Sequence, residues 1–317
     1  MTAAAPSPEI SVVVPAHNEE ANLEPLCLQL ASVLEEASSS WEILLCDDGS
    51  TDGTWGSIRG LSKAEPRIHG VRLSRNFGHQ YALLAGLQRA RGAAVVTMDA
   101  DLQHPPRVVA ELITKWRGGA KVVKTLRRGT LHAGWLRRSA SNAFYHVFSA
   151  LSGVHLEPGM ADFRLLDRQV VDALREFEEE GLFLRGIVEW VGYDSALVPF
   201  DVAARASGKS KYSWWRMLRF AWHGVSSFSI VPLRVGIVLG LSSSVVAFIS
   251  VIYAIVSKWG LGEAVPGWTS SVAITSFLFG VLFVYLGLLG EYIGRILVES
   301  RRRPRYLVSD TTDANDG

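Results

Sequence analysis

Apolar and polar positions follow two alternating periods along the first half of the chain. Short apolar runs, ISVVVP (10–15), WEILLCDDGS (41–50), IHGVRLS (68–74) and AAVVTMDAD (93–101), read as buried strands, most of them running out into polar residues. Between them EEANLEPLCLQLASVLEEA, TWGSIRGLSKA, GHQYALLAGLQRARG and PPRVVAELITKWRGG carry apolar residues at helical spacing. Strand–helix units repeated in this way predict an α/β domain whose mostly parallel sheet is covered by helices on both faces.

The pattern changes after residue 204. Val235 to Val256 carries no charge, which as a helix is ~33 Å long, enough for a hydrocarbon core of ~30 Å. A second low-charge stretch, densest in SVAITSFLFGVLFVYLGLLG, follows the short connector SKWGLGEAVPGW. Two transmembrane helices are expected, at 235–256 and 269–291, with an extracytoplasmic connector at 257–268. Arg205, Lys209, Lys211, Arg216, Arg219 and Arg234 precede this hairpin, and Arg295, Arg301, Arg302, Arg303 and Arg305 follow it. The positive-inside rule puts both flanks in the cytoplasm. Within the first flank, Trp214, Met217, Leu218, Ala221 and Val225 share one side of a basic helix, as expected of an amphipathic helix lying in the membrane interface.

The expected organisation is therefore a cytoplasmic domain at 1–204, a basic loop and interfacial helix at 205–234, the hairpin, and a cytoplasmic tail at 292–317. That makes a multi-pass protein of the inner or plasma membrane with both termini in the cytoplasm. The last residues, SDTTDANDG, read as a disordered end. The start, MTAAAPSPEISVVV, has neither the basic nor the apolar region of a signal peptide.

Composition agrees once the chain is divided. A mean hydropathy of +0.18 is high for a soluble enzyme with 20% charged residues, and the hairpin supplies the excess. The 32 basic and 31 acidic residues leave a net charge of +1, which argues against a broad electropositive surface for nucleic acid. Cys27 and Cys46 make neither a disulfide framework nor a metal-ligand spacing.

Candidate chemistry collects at strand ends, where an open α/β sheet binds its ligands. Pro15, His17 and Glu19 follow the first strand, Asp47 and Asp48 the second, and Asp99, Asp101 and Gln103 the fourth. Asp99 and Asp101 flank a single alanine and suit a hard divalent cation bridging diphosphate oxygens. Asp48 reads either as an acceptor of hydrogen bonds from a base or as a turn cap, and Asp47 as a cap or a ligand. No GxGxxG or GxxxxGK[ST] follows the first strand, which disfavours a dinucleotide fold or a P-loop.

VVVPAHNEE, LLCDDGSTDGT, LSRNFGHQYALLAGLQRARG, MDADLQHPP, MADFRLLDR and RASGKSKYS together resemble the family 2 glycosyltransferases of the polyprenyl-phosphate type. These include dolichyl-phosphate mannose synthases and bacterial undecaprenyl-phosphate glucosyltransferases. The resemblance runs from about residue 9 to 308 and implies a GT-A (nucleotide-diphospho-sugar transferase) domain. It implies that Pro15, His17, Glu19 and Asp48 line a nucleotide pocket. Asp99, Asp101 and Gln103 would hold Mg2+ or Mn2+ and the diphosphate, with Asp101 the most direct ligand. Asp162 would stand near the reacting centre as an orienting or base-like residue. Arg127 would contact phosphate, as would Arg205, Lys209 and Ser210 on the acceptor side. The chain departs from its relatives in KVVKTLRR, where Lys124 and Thr125 change either the donor-side wall or only the packing, and at His17, often tyrosine elsewhere.

The implied activity is inverting, metal-dependent transfer of a hexose to undecaprenyl or another polyprenyl phosphate at the cytoplasmic membrane face. UDP-glucose is the best-fitting donor and GDP-mannose the alternative. A homo-oligomer in the bilayer is compatible with the resemblance, and no nucleic-acid partner is expected. A processive polysaccharide synthase is disfavoured, since QxxRW and further spans are missing. A non-catalytic sugar-nucleotide-binding membrane scaffold is the remaining competitor.

Overall fold

The computed structural model describes residues 7–127, 160–177, 184–201, 231–260 and 267–312. Four strand–helix units open the chain: β1 (Ile10–Ala16), α1 (Glu20–Ala37), β2 (Trp41–Asp47), α2 (Thr54–Ala64), β3 (Ile68–Leu73), α3 (His79–Arg89), β4 (Ala94–Thr97) and α4 (Val108–Arg117). There follow β5 (Val122–Arg127), β6 (Met160–Asp167), α5 (Arg168–Arg175), α6 (Leu184–Trp190) and β7 (Ser195–Phe200). The chain closes with α7 (Val231–Gly260), α8 (Trp268–Ser300) and β8 (Val308–Thr311).

One eight-stranded sheet has the order β7-β5-β6-β4-β1-β2-β3-β8. β1 pairs in parallel with both β2 and β4, β2 with β3, and β5 with β7; β6 runs antiparallel between β4 and β5. Every residue of β1 and β2 is buried, which is why those runs are apolar without alternation. The connection from β1 goes to β2 on one side, while β4 lies on the other. Strand order reverses there, and the reversal opens a crevice at the carboxyl ends of the strands. α3 comes close to this centre because Gly86 has no side chain: a Cβ would stand 2.2 Å from Val13 Cγ1 and 2.8 Å from Cys46 Sγ.

Contacts divide the chain into two units, 1–149 with 154–213 and 303–317, and 150–153 with 214–302. The first contains the sheet, the second α7 and α8. The two helices pack together, and a Cβ on Gly236 would stand 2.1 Å from the Tyr285 ring. Beside this contact lies an apolar groove of about 1380 Å³. Both helices outrun the expected charge-free limits. Charged residues at their ends continue the helix, because a change in polarity without glycine or proline does not stop one. Among the described residues one helix segment, Phe277–Ser300, is long and apolar enough to cross a membrane, and Gly236–Val246 is a shorter apolar one. A two-span hairpin is thus not established by length and apolarity.

The tail departs from expectation. Polar composition suggested disorder beyond Val308, yet β8 runs antiparallel to β3 and closes that edge of the sheet. Backbone pairing, which needs no apolar side chains, explains the difference. The basic loop and interfacial helix, with Arg205, Lys209 and Ser210, lie outside the described residues.

Candidate active site

The turn after β1 is stapled to the turn after β2. Asn18 has φ +58°, its backbone N–H donates to Ser50 Oγ (2.9 Å), and its Oδ1 accepts from Thr51 N–H (2.9 Å). Glu19 N–H donates to Thr54 Oγ1 (2.9 Å), and Glu20 accepts from Gly53 N–H (3.1 Å). Pro15 is buried at the end of β1, whereas His17 is exposed, with Nδ1 donating to the Asp48 carbonyl at 2.9 Å. Glu19 is half-buried and accepts from Asn22 Nδ2 at 2.5 Å.

Asp47 takes the cap role: its Oδ1 accepts from Ser50 N–H (2.9 Å), and Oδ2 pairs with Arg72 Nε at 3.2 Å. Asp48 reaches across to the start of α3. Its Oδ1 accepts from Phe77 N–H (2.7 Å) and its Oδ2 from Gly78 N–H (2.9 Å). Gly49 permits this arrangement with φ +62°; a Cβ there would lie 2.3 Å from the Arg75 carbonyl carbon. Gly49→Ala is expected to destabilise the domain by ~1–2 kcal/mol for the left-handed conformation alone and to push residues 75–78 outward. Thermal unfolding together with nucleotide binding measures both effects.

Acids and cations meet just beyond β4 and at the start of β6. The Asp162 carboxylate is buried and accepts from Arg164 Nη2 (2.7 Å), Arg185 Nε (2.7 Å) and Arg185 Nη2 (2.7 Å). Burial alone would raise its pKa, but the Arg185 hydrogen bonds and the charges of Arg164, Arg185 and His79 hold it below the usual carboxylate range. His79, the first residue of α3, stands with Nε2 3.5 Å from Asp99 Oδ1 and 3.9 Å from Asp162 Oδ2. Asp99 shows the opposite electrostatics. Burial, then the charges of Asp162 and Asp101, raise its pKa against the opposing pull of His79 and Arg127.

His104 is fully buried, stacked on Phe163 at 5.0 Å and edge-on to Phe200. Burial and the Arg127 charge push its pKa down to about 3, so it is neutral. Asp99 N–H donates to its Nδ1 (3.1 Å), which leaves the proton on Nε2, 3.8 Å from Asp99 Oδ2. Asp101 Oδ1 accepts from Gln103 N–H (3.1 Å) around Leu102, whose φ is +60°.

Of the residues expected from sequence, Asp99, Asp101, Arg127 and Asp162 interact at one place, with Gln103 on the Asp101 turn. Pro15, His17, Glu19 and Asp48 form a neighbouring group between the β1 and β2 ends. Both carboxylate oxygens of Asp162 are paired with arginine. Lys124 and Thr125 serve packing: Lys124 pairs with Glu189 (2.6 Å), and buried Thr125 donates to the Phe163 carbonyl (2.6 Å). His79, His104, Arg164 and Arg185 are the additions. The signals that could have found them were the histidine opening α3 and the charged residues inside otherwise apolar DFRLL and LFLRGIV.

Asp99 and Asp101 suit a divalent cation on the chemistry of the site. Asp99 Oδ1 is buried and makes no hydrogen bond, with His79 Nε2 3.5 Å away, and burial together with the Asp162 and Asp101 charges disfavours its ionised form, a cost that a bound cation would offset. Among the described residues no cluster of three or more acidic, histidine or cysteine side chains forms a closed cage. Two carboxylates sharing an ion with substrate phosphates is the arrangement Mg2+ commonly takes.

Comparison with known proteins adds the following. Residues 11–174 match the model of glycosyl transferase family 2. An uncharacterized glycosyltransferase of Synechocystis sp. is 40% identical over 95% of both chains. A prophage bactoprenol glucosyl transferase homolog of Escherichia coli is 37% identical, covering 95% of this chain and 98% of its own. The bactoprenol glucosyl transferase of Shigella phage SfV is 36% identical over the same shares.

Proposed function

The chain belongs to glycosyl transferase family 2 and is a glycosyltransferase; from that premise we propose that it moves a hexose, glucose from UDP-glucose, onto undecaprenyl phosphate. The observation that carries this reading is the cluster of Asp99 with Asp162, Arg164, Arg185 and Arg127 where the strand order reverses. Relatives named for bactoprenol glucosyl transfer support the acceptor class.

The donor nucleotide would lie between the β1 and β2 turns, beside Pro15, His17, Glu19 and Asp48. Bound by Asp99 and Asp101, with Gln103 beside them, Mg2+ or Mn2+ would supply positive charge at the diphosphate. Leaving diphosphate and incoming lipid phosphate are both anionic, and Arg127 and Arg185 offset their repulsion. Because the acceptor is already ionised at neutral pH, it needs orientation rather than deprotonation. Asp162 supplies this by holding Arg185 in place through two hydrogen bonds. One in-line attack at the anomeric carbon inverts its configuration and yields a polyprenyl monophosphate sugar.

The second unit would keep this site at the bilayer. Exposed Phe277, Phe283 and Val284 on α8, and Ile249 and Tyr253 on α7, favour lipid contact for both helices. Two spans with a cytoplasmic catalytic domain is the reading we favour. Arg205, Lys209 and Ser210 would meet the lipid phosphate.

The purified chain, incubated with undecaprenyl phosphate, Mg2+ or Mn2+ and a panel of labelled sugar nucleotides, is expected to make lipid-linked glucose from UDP-glucose and to stop on chelation. Transfer only from GDP-mannose would replace the donor. Nucleotide binding without turnover on any donor would instead favour a scaffold.

A further inference from the structure

Without its C-terminal partner β3 would be the sheet edge, and it is poorly suited to stand alone, since Gly70 lies in its middle. The tail covers it. Thr312 N–H donates to the Gly70 carbonyl (3.0 Å), Gly70 N–H to Thr312 Oγ1 (2.7 Å), and Ser74 N–H to the Leu307 carbonyl (2.8 Å). Trp55 Nε1 donates to Asp310 Oδ2 (3.2 Å), while Tyr306 and Arg305 bond to Gln88 and to the Phe177 carbonyl.

What β3 carries makes this edge consequential. Arg72, opposite Asp310 in the register, pairs with Asp47 at 3.2 Å and donates to the Ser50 carbonyl at 3.4 Å. Beyond Ser74 the backbone of Arg75 and Asn76 packs on Gly49, and Phe77 and Gly78 supply the two N–H groups that hold Asp48. Hydrogen bonds and close contacts thus run without a break from the tail through β3 to the turn at 47–50.

We propose that the C-terminal segment 306–312 is a positioning element for the donor-nucleotide pocket, fixing Arg72 and residues 74–78 against the Asp47–Ser50 turn. The proposal rests on the reading that Asp48 lines that pocket. The chain leaves α8 at Ser300 and joins the sheet at Val308, so the segment that follows the apolar helix also sets the affinity of the site for its nucleotide. Without it, β3 and the 74–78 loop lose their outer support, and the cost falls on binding before chemistry.

Two variants test this: a chain ending at Arg305, and Thr312→Val, which keeps shape but removes the acceptor for Gly70 N–H. UDP affinity by calorimetry, donor KM and kcat, and amide exchange are measured on each. The shortened chain should bind UDP about tenfold more weakly and raise KM in proportion, with kcat little changed. Amides at 74–78 should exchange faster while β1 and β4 stay protected. Thr312→Val should move the same quantities in the same direction by about twofold. Unchanged UDP affinity and unchanged exchange at 74–78 in the shortened chain would overturn the proposal. If that chain loses β1 protection as well, Thr312→Val decides, and wild-type affinity there overturns it. Failure of the proposed function is separate: the intact chain would then turn over no sugar nucleotide, while exchange at 74–78 still reports on the tail.

Discussion

Replacing Asp162 by asparagine is expected to cost about 3–5 kcal/mol of stability, the usual penalty for leaving one member of a buried ion pair unpaired. The stranded group is Arg164, 6% exposed and bonded to Asp162 at 2.7 Å. Arg185→Met should be milder for the fold, because its side chain is 37% exposed and its loss leaves Asp162 still paired with Arg164. It should be severe for turnover, lowering kcat by about 10²-fold if the guanidinium stabilises charge in the transition state. Thermal unfolding and steady-state kinetics on both variants separate the two effects. The pH dependence has a definite sign. With its folded pKa depressed, Asp162 contributes stability that is present above the ordinary carboxylate pKa and lost as pH falls toward the lower folded value. Activity should accordingly show no rising limb from Asp162 near pH 4–5, where an ordinary carboxylate base would titrate. An Asp162→Asn chain that melts like the wild type yet loses a pH-dependent limb would make Asp162 a base after all.

The sheet and the strand-end acids were legible because both depend on local pattern. Doubly buried strands leave unbroken apolar runs, and a polar cluster closing such a run lies at a crevice edge, as with Asp48 and Asp99. Arg164 and Arg185 were hidden because their role depends on pairing across sequence distance. Arg185 looks like one charge in LFLRGIV until α6 brings it to Asp162. His104 sits before two prolines, and nothing local shows that Phe163 and Phe200 will enclose it. The tail misled for the opposite reason: SDTT has no apolar pattern, and its order comes from backbone bonds to β3 with side-chain bonds to Trp55 and Gly70. Asp48 fell between these cases. Both of its readings were visible, and the structure has its carboxylate on the backbone of residues 77 and 78, so any contact with a base must share oxygens already engaged.

Asp99→Asn is expected to abolish most metal-dependent turnover, by about 10²–10³-fold, while raising the melting temperature slightly. The two effects share one cause. A carboxyl whose folded pKa is raised destabilises the fold at neutral pH through its charged form, and burial with the neighbouring Asp162 and Asp101 charges raises that of Asp99. The neutral amide removes that strain and, with it, the negative charge a divalent cation would neutralise. Asp101 gives a control of different character. Its Oδ1 caps the turn at Gln103 across the left-handed Leu102, so Asp101→Asn keeps the cap and loses the charge, whereas Asp101→Ala loses both. Turnover should fall in all three variants, but only Asp101→Ala should lose about 0.5–2 kcal/mol of stability, as for loss of a capping side chain. Melting curves with and without Mn2+ and UDP complete the test: the wild type should gain stability from the pair together, and Asp99→Asn should gain little. Equal stabilisation of Asp99→Asn and wild type by Mn2+ with UDP would remove Asp99 from the cation site and leave its raised pKa a consequence only of burial and the neighbouring Asp162 and Asp101 charges.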